Sequence, residues 1–244
     1  MAKTLARVVG GGHGANMNDA AFGIGIYTVP EAARMIDMPV RNLRRWIVGY
    51  DHNGKHEEPL WNPQYEVEAD EVAIIGFRDL VEARIVNSLR GMRIGLPTIR
   101  NCITRARDFI GDDRPFSTRQ FKTDGKSIFL EIWREVGEPE MIDLKSLQGV
   151  FSRVVAPSLT GLDFDGEAAS RWWLLDGKRT IVADPQRAFG APIVAENGIP
   201  TQRLAQAVKA EGSVHAVAKL YELRPRLIRD ALEYEMTHAP RKAA

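Results

Sequence analysis

Four residues in one short stretch have the types and spacing to read nucleic-acid bases: Arg41, Asn42, Arg44 and Arg45. Arginine presents several N–H donors in a planar fork, and asparagine's amide both donates and accepts, so each can bond a base edge in the major groove at two points. A second basic set, Arg224, Arg226 and Arg229, lies near the other end of the chain. Between them, residues 84–107 hold arginines at 84, 90, 93, 100, 105 and 107 with no acid. Such a bias suits phosphates, which position a protein without reading sequence, and Arg93 and Arg100 are the expected phosphate holders. A solvated basic face is the plainer alternative for each set.

Other chemistry is thin. The histidines, at 13, 52, 56, 215 and 238, are scattered. His52 and His56 have a metal-like spacing, but their loop offers no further convincing ligand. His215 reads as a packing residue. Asp163 and Asp165, in LDFDG, could hold a metal, although turn and strand chemistry explains them as well. No Ser-His-Asp set has a local signature, so an enzyme is the weakest reading, and neither metal nor cofactor is expected. The lone cysteine, Cys102, rules out a disulfide framework or thiolate cluster within one chain and reads as a buried thiol.

These side chains need scaffolds. In the stretch from Tyr27 to Tyr50, apolar residues fall at Ala32, Ala33, Ile36 and Met38, break at Pro39, and resume at Val40, Leu43, Trp46 and Ile47. That pattern predicts two short amphipathic helices joined by a tight turn, a helix-turn-helix, with the arginines on the outer face of the second helix. Thr28, which leads into the first helix, is placed with the DNA-contacting residues. The polar stretch 51–70 is expected to form a long wing. Helical patterns follow over 71–90 and from Pro97 through Phe109.

From 112 to 182 the character changes. Asp124-Gly125 and Asp176-Gly177 each lie between β-prone runs and predict hairpins with type I′ turns. Met141 to Val155 is expected to add a strand and a short helix. Trp172 and Trp173 should face opposite sides of a strand, one in the core and one on a contact surface. Beyond Asp184-Pro185 and Gly198-Ile199-Pro200, three helices are expected, with Ser213 capping the second and the Arg224–Arg229 set opening the third. Cations at a helix start oppose the helix dipole but become useful if that end faces phosphates.

Two resemblances follow from these residues. The order helix-turn-helix, wing, FRDLVEARIVNSLRGMRIGLPTIRNCI resembles MerR-like regulators over about 26–110, with Arg44-Arg45-Trp46 in the position of that family's Leu-Arg-aromatic signature. The long coiled coil and effector cysteines of the metal-sensing members are absent, so a metal or drug sensor is not expected. Asp184-Pro185, Phe189-Gly190-Ala191-Pro192, Gly198-Ile199-Pro200 and Ala231-Leu232-Glu233-Tyr234-Glu235 resemble the family called domain of unknown function 433. Here Glu196-Asn197-Gly198 stands in place of that family's Gly-Thr-Arg before the Ile. This resemblance implies a VapB-type antitoxin paired with a PIN-like nuclease toxin.

The expectation is an α+β chain. A flexible Gly-rich arm occupies 1–25, a winged helix-turn-helix 26–111, a small β-rich middle region 112–183, a trihelical domain 184–238, and a tail 239–244. Net charge is +1, so a nucleic-acid site must be a local patch. With 44% hydrophobic and 27% charged residues, no apolar run long enough to span a membrane and no signal peptide, a cytoplasmic protein is expected. The expected function is a DNA-binding antitoxin that neutralises a nuclease and represses its own operon. A transcription regulator without a toxin is the alternative. The expected partners are double-stranded operator DNA, the cognate toxin and a second copy in a homodimer.

Overall fold

A computed structural model describes residues 23–52, 54–66, 73–136, 149 and 151–239. The arm expected at 1–25 lies outside these apart from 23–25, as do most of the element expected at 141–155 and the tail beyond 239.

The N-terminal unit begins with a two-residue strand, β1 (Tyr27–Thr28), paired antiparallel with β4 (Ile74–Ile75). Helix α1 (Val29–Met35) and helix α2 (Val40–Val48) form the predicted helix-turn-helix. Ala32, Ala33, Leu43, Trp46 and Ile47 are buried between them. The chain leaves α2 through Gly49, whose φ of 80° suits glycine and where a Cβ would strike the Glu57 carbonyl. The wing is a hairpin of β2 (Tyr50–His52) and β3 (Lys55–Glu57), shorter than the stretch 51–70 suggests. After Glu57 the chain returns to the core, burying Leu60, Trp61 and Tyr65, because these apolar groups outweigh the polar turn residues between them.

Helices α3 (Phe77–Gly91) and α4 (Leu96–Ile110) support this unit, and Cys102 is buried on α4, its thiol pushed up to about 12 by burial. The predicted hairpin at Asp124-Gly125 does not form. Both residues lie inside helix α5 (Arg119–Val136). Thr118 caps its start, accepting from the Phe121 N–H at 3.1 Å, and Phe121 and Ile128 anchor it in the core. A mid-helix glycine costs about 1 kcal/mol, less than burying two large apolar side chains returns.

A four-stranded antiparallel meander follows: β5 (Leu162–Asp165), β6 (Ala168–Leu175), β7 (Lys178–Ala183) and β8 (Pro192–Val194). The Asp176-Gly177 hairpin forms as predicted, with Leu175 opposite Lys178. Its turn is not type I′, since only Gly177 has positive φ. Trp172 is buried, while half-buried Trp173 donates its indole N–H to Asp163 at 2.8 Å. The meander supplies two cores. Leu162, Ala169, Trp172 and Ala183 join the core of the N-terminal unit. Leu175, Ile181 and Val194 join that of the C-terminal helices α6 (Thr201–Glu211), α7 (Val214–Leu220) and α8 (Pro225–Thr237).

Direct bonds also link β1 and the residue before it to the turn that precedes β8. Ile26 donates its N–H to the Phe189 carbonyl at 2.9 Å, and the buried Tyr27 hydroxyl donates to the Gly190 carbonyl at 2.9 Å. Ala188, Phe189 and Gly190 all have positive φ, and this left-handed turn aims the two carbonyls at β1. A Cβ on Gly190 would run into the Tyr27 ring.

Two carboxylates are fully buried on α3. Asp79 is saturated with donors. Glu82 accepts from the Ser117 N–H at 2.8 Å through Oε1, while its Oε2 has no hydrogen-bond partner. Burial pushes the Glu82 carboxyl up to about 8, against the weaker opposing pull of the Ser117 N–H and Arg78. The folded chain therefore holds a proton that the unfolded chain has lost. The stability this gives is complete below about 4.5 and drains away as pH rises through about 8. Glu82→Gln should remove that part of the slope. In urea melts across this range, the difference in stability between Glu82→Gln and wild type should grow with pH and level off above about pH 8; a pH-independent difference would contradict a protonated Glu82.

Candidate nucleic-acid interface

The first unit offers its basic face as the sequence suggests. Arg41, Asn42 and Arg44 are exposed on α2, whose opposite side is buried. Arg41 and Arg44 are one helical turn apart and share a face. Arg45 is different. It is half-buried and lies over the Tyr50 ring, 4.7 Å from its centroid, tying α2 to the first residue of the wing. The Leu60 N–H donates to the Trp46 carbonyl at 2.8 Å and fixes the same corner from the other side.

Thr28 is a helix cap. Its hydroxyl donates to Glu31 Oε2 at 2.7 Å and accepts from the Glu31 N–H at 3.4 Å, and Glu31 reaches back to the Thr28 N–H at 2.9 Å. This is a capping box, and the T-x-x-E spacing is its sequence signal. At the wing, exposed His56 pairs with Asp51 at 2.9 Å, which raises the imidazole pKa through that hydrogen bond. Among the described residues no three His, Cys, Asp or Glu side chains gather as metal ligands would. Asp163 is occupied by Trp173 and by Arg179, at 3.4 Å, and His215 is exposed rather than packed.

Three arginines of the stretch 84–107, Arg84, Arg90 and Arg100, bond to other parts of the protein. Arg84 lies 4.3 Å from the Trp172 ring centroid and reaches the Thr160 carbonyl at 3.3 Å, and burial lowers its pKa to about 10. Arg90 donates to the Ile94 carbonyl at 2.6 Å. Arg100 donates to the carbonyls of Pro59 and Glu58 at 2.6 and 2.7 Å, so the expected phosphate holder is the clamp on the chain leaving the wing. The acceptors are backbone carbonyls, which a search for missing acids cannot reveal. Arg93 is exposed at the α3–α4 turn with a φ of 64°, unusual for a residue with a Cβ.

The sequence reading overlooked the knot that positions this surface. Asp79 accepts from the Trp61 indole N–H at 3.1 Å, the Gln64 N–H at 2.8 Å, the Gly76 N–H at 3.0 Å and Arg114 Nε at 2.8 Å. Arg114 also donates to the Asn62 carbonyl at 2.7 Å. No local motif announces contacts this far apart in the chain.

In the C-terminal unit, Arg224, Arg226 and Arg229 are all exposed at the start of α8. Arg224 pairs with Glu196, and Arg226 has a long contact with Asp230 at 3.9 Å. Asp230 itself is buried and takes Lys178 at 3.0 Å.

Two stretches of the chain match known families. Residues 25–103 match a family described as "Putative DNA-binding HTH domain", and residues 181–234 match one described as "Protein of unknown function (DUF433)". The first match is to the helix-turn-helix class, and the narrower MerR likeness is not part of it. A Mycobacterium tuberculosis protein named "Putative antitoxin VapB45" is 26% identical over 227 residues, covering 87% of this chain and 94% of its own length. The crystal structure of Rv2018 from Mycobacterium tuberculosis has the same fold, with a TM-score of 0.70 at 24% identity over 87% of this chain and 99% of that one.

If Arg100 clamps the wing's return, Arg100→Lys keeps the charge but loses the fork that bonds two carbonyls at once. Limited proteolysis should then cut within residues 50–60 several-fold faster than in wild type. An unchanged cleavage rate with weakened DNA binding would instead return Arg100 to the phosphates.

Proposed function

We propose that this chain is a DNA-binding antitoxin that neutralises a partner toxin and represses its own operon. The observation that carries the reading is the exposed Arg41, Asn42 and Arg44 face on a braced helix-turn-helix, flanked by a wing. Arginine and asparagine at the start of such a helix suit guanine and adenine edges in the major groove. The antitoxin half of the reading is supported by the relative named as such, which aligns along nearly its whole length. A PIN-like nuclease is the proposed toxin, and a homodimer the proposed form, since two-fold symmetry suits a palindromic operator. Arg93 is assigned to a phosphate. A regulator of this kind performs no reaction, and its specificity lies in groove contacts.

One observation favours the alternative, a transcription regulator without a toxin. A polar hollow of about 580 Å³ opens beside the meander, lined by Arg119, Lys122, Asp163, Arg171, Arg179 and Asp184 among others. In that reading the middle region senses a small charged ligand. Co-expression with the neighbouring gene product separates the two. A complex with a protein that is toxic alone supports the antitoxin, and no complex with no toxicity favours the regulator.

The DNA contact is tested by Arg41→Ala plus Arg44→Ala. Each arginine–guanine contact is worth about 1–3 kcal/mol, so the pair should lose at least about tenfold in affinity for upstream DNA. The circular-dichroism spectrum and melting temperature should stay as in wild type, because both side chains are exposed. Unchanged affinity at fixed salt would remove α2 from the groove.

Arg93 offers a test in which fold and function move apart. Arg93→Gly relieves a left-handed backbone that costs a residue with a Cβ about 1 kcal/mol, and it also removes the proposed phosphate contact. The variant should be as stable as wild type or more so, bind DNA less tightly, and show a salt dependence shallower by about one ion. Equal binding and an equal salt slope would show that Arg93 stays off the phosphates.

A further inference from the structure

The two helix-turn-helix units repeat one another residue by residue at a constant offset. Thr28 caps α1 by accepting from the Glu31 N–H at 3.4 Å, and Ser213 caps α7 by accepting from the Ala216 N–H at 3.3 Å. Both helices have seven residues and begin with valine. The turns that follow are the same hydrogen bond for hydrogen bond. Ile36 donates to the Ala32 carbonyl at 3.2 Å, as Tyr221 does to Val217 at 2.9 Å. Asp37 donates to Arg34 and Glu222 to Lys219, both at 3.3 Å. Met38 donates to Ala33 at 2.9 Å, and Leu223 to Ala218 at 2.8 Å.

The matching residues share their character as well. Asp37 and Glu222 are both left-handed, with φ of 50° and 54°, where glycine would be the easy choice. Met38 and Leu223 then tuck into their cores, each 8% exposed. In the second helix of each unit, Leu43 corresponds to Ile228, both fully buried. Arg41 corresponds to Arg226 and Arg44 to Arg229, and all four are exposed.

The following position fastens each second helix to a hairpin. Arg45 lies over Tyr50 at the base of the wing. Its counterpart Asp230 holds Lys178, the residue just past the Asp176-Gly177 turn. Thus the first unit's cap, turn, buried contact, brace and outward arginine pair all recur in the second.

We infer that residues 213–232 are a second DNA-reading unit built like 28–47, and that Arg226 and Arg229 read the same short base element as Arg41 and Arg44. Two guanidinium groups one turn apart on helices held in the same way present the same donor spacing to a groove. One chain therefore calls for DNA that carries the element twice. The inference rests on the DNA-binding reading of the first unit. It assigns the same ligand chemistry to a segment whose matched family has no described function.

Selection of random duplex DNA with the full chain tests it. Wild type should enrich DNA with two copies of one short element per bound chain, four for the proposed homodimer. Arg226→Ala plus Arg229→Ala should halve that number to one copy per chain and bind the DNA selected by wild type about tenfold more weakly. Arg226→Lys plus Arg229→Lys keeps the charge and controls for folding, together with the melting temperature. It should retain non-specific binding but lose preference for the second copy. A wild-type motif with one copy per chain, unchanged by the Arg226/Arg229 substitutions, would overturn the inference while leaving the first unit's role intact. No enrichment by wild type at all would overturn both.

Discussion

The buried carboxylate of Asp79 is the constraint on which the proposed DNA-binding surface depends. A fully buried charge is costly unless it is paired and saturated with donors. Here Trp61, Gln64, Gly76 and Arg114 supply them, from the wing's return, the start of α3 and the α4–α5 connection. Each donor is itself buried or half-buried, so none can readily turn to water instead. The segment leaving the wing is thereby fixed to α3, and Arg100 and the Trp46 carbonyl extend the bracing to α2. A helix that reads bases must be placed to within a fraction of an ångström, and this network supplies that placement.

The N-terminal unit does not float on a tether. Tyr27 and Ile26 bond the Phe189–Gly190 turn, Arg84 lies over Trp172, and the meander contributes to the cores on both sides. A partner that engages the C-terminal helices therefore presses on the same framework that carries α2. Such continuity would let the proposed toxin and DNA contacts influence one another, because a packed core passes strain on rather than absorbing it.

Local pattern made much of this legible. The periodicity around Pro39 located both helices of the first unit, and Ser213 and the arginines after it marked the second. Asp176-Gly177 marked its hairpin. Asp124-Gly125 misled because burial of Phe121 and Ile128 decides the conformation there, and turn propensity cannot see a core. The arginine-rich stretch misled for a related reason. Arg84 goes to an indole ring and Arg100 to backbone carbonyls distant in sequence, Arg90 goes to the nearby Ile94 carbonyl, and composition says nothing about such acceptors. Asp37 and Glu222 hid the repeat, since a left-handed turn is normally recognised by glycine. Asp79 was invisible for want of any local partner beyond Gly76.

The central claim is that exposed arginines on α2 bond guanine edges in a major groove. The most direct measurement replaces each guanine of a bound site, one at a time, by 7-deazaguanine, which removes the N7 acceptor and leaves base pairing intact. Affinity should fall about tenfold at one or two guanines, and the same replacements should cost nothing further once Arg41 and Arg44 are alanine. Wild-type affinity indifferent to every N7 would contradict the account and leave the basic face to phosphates alone.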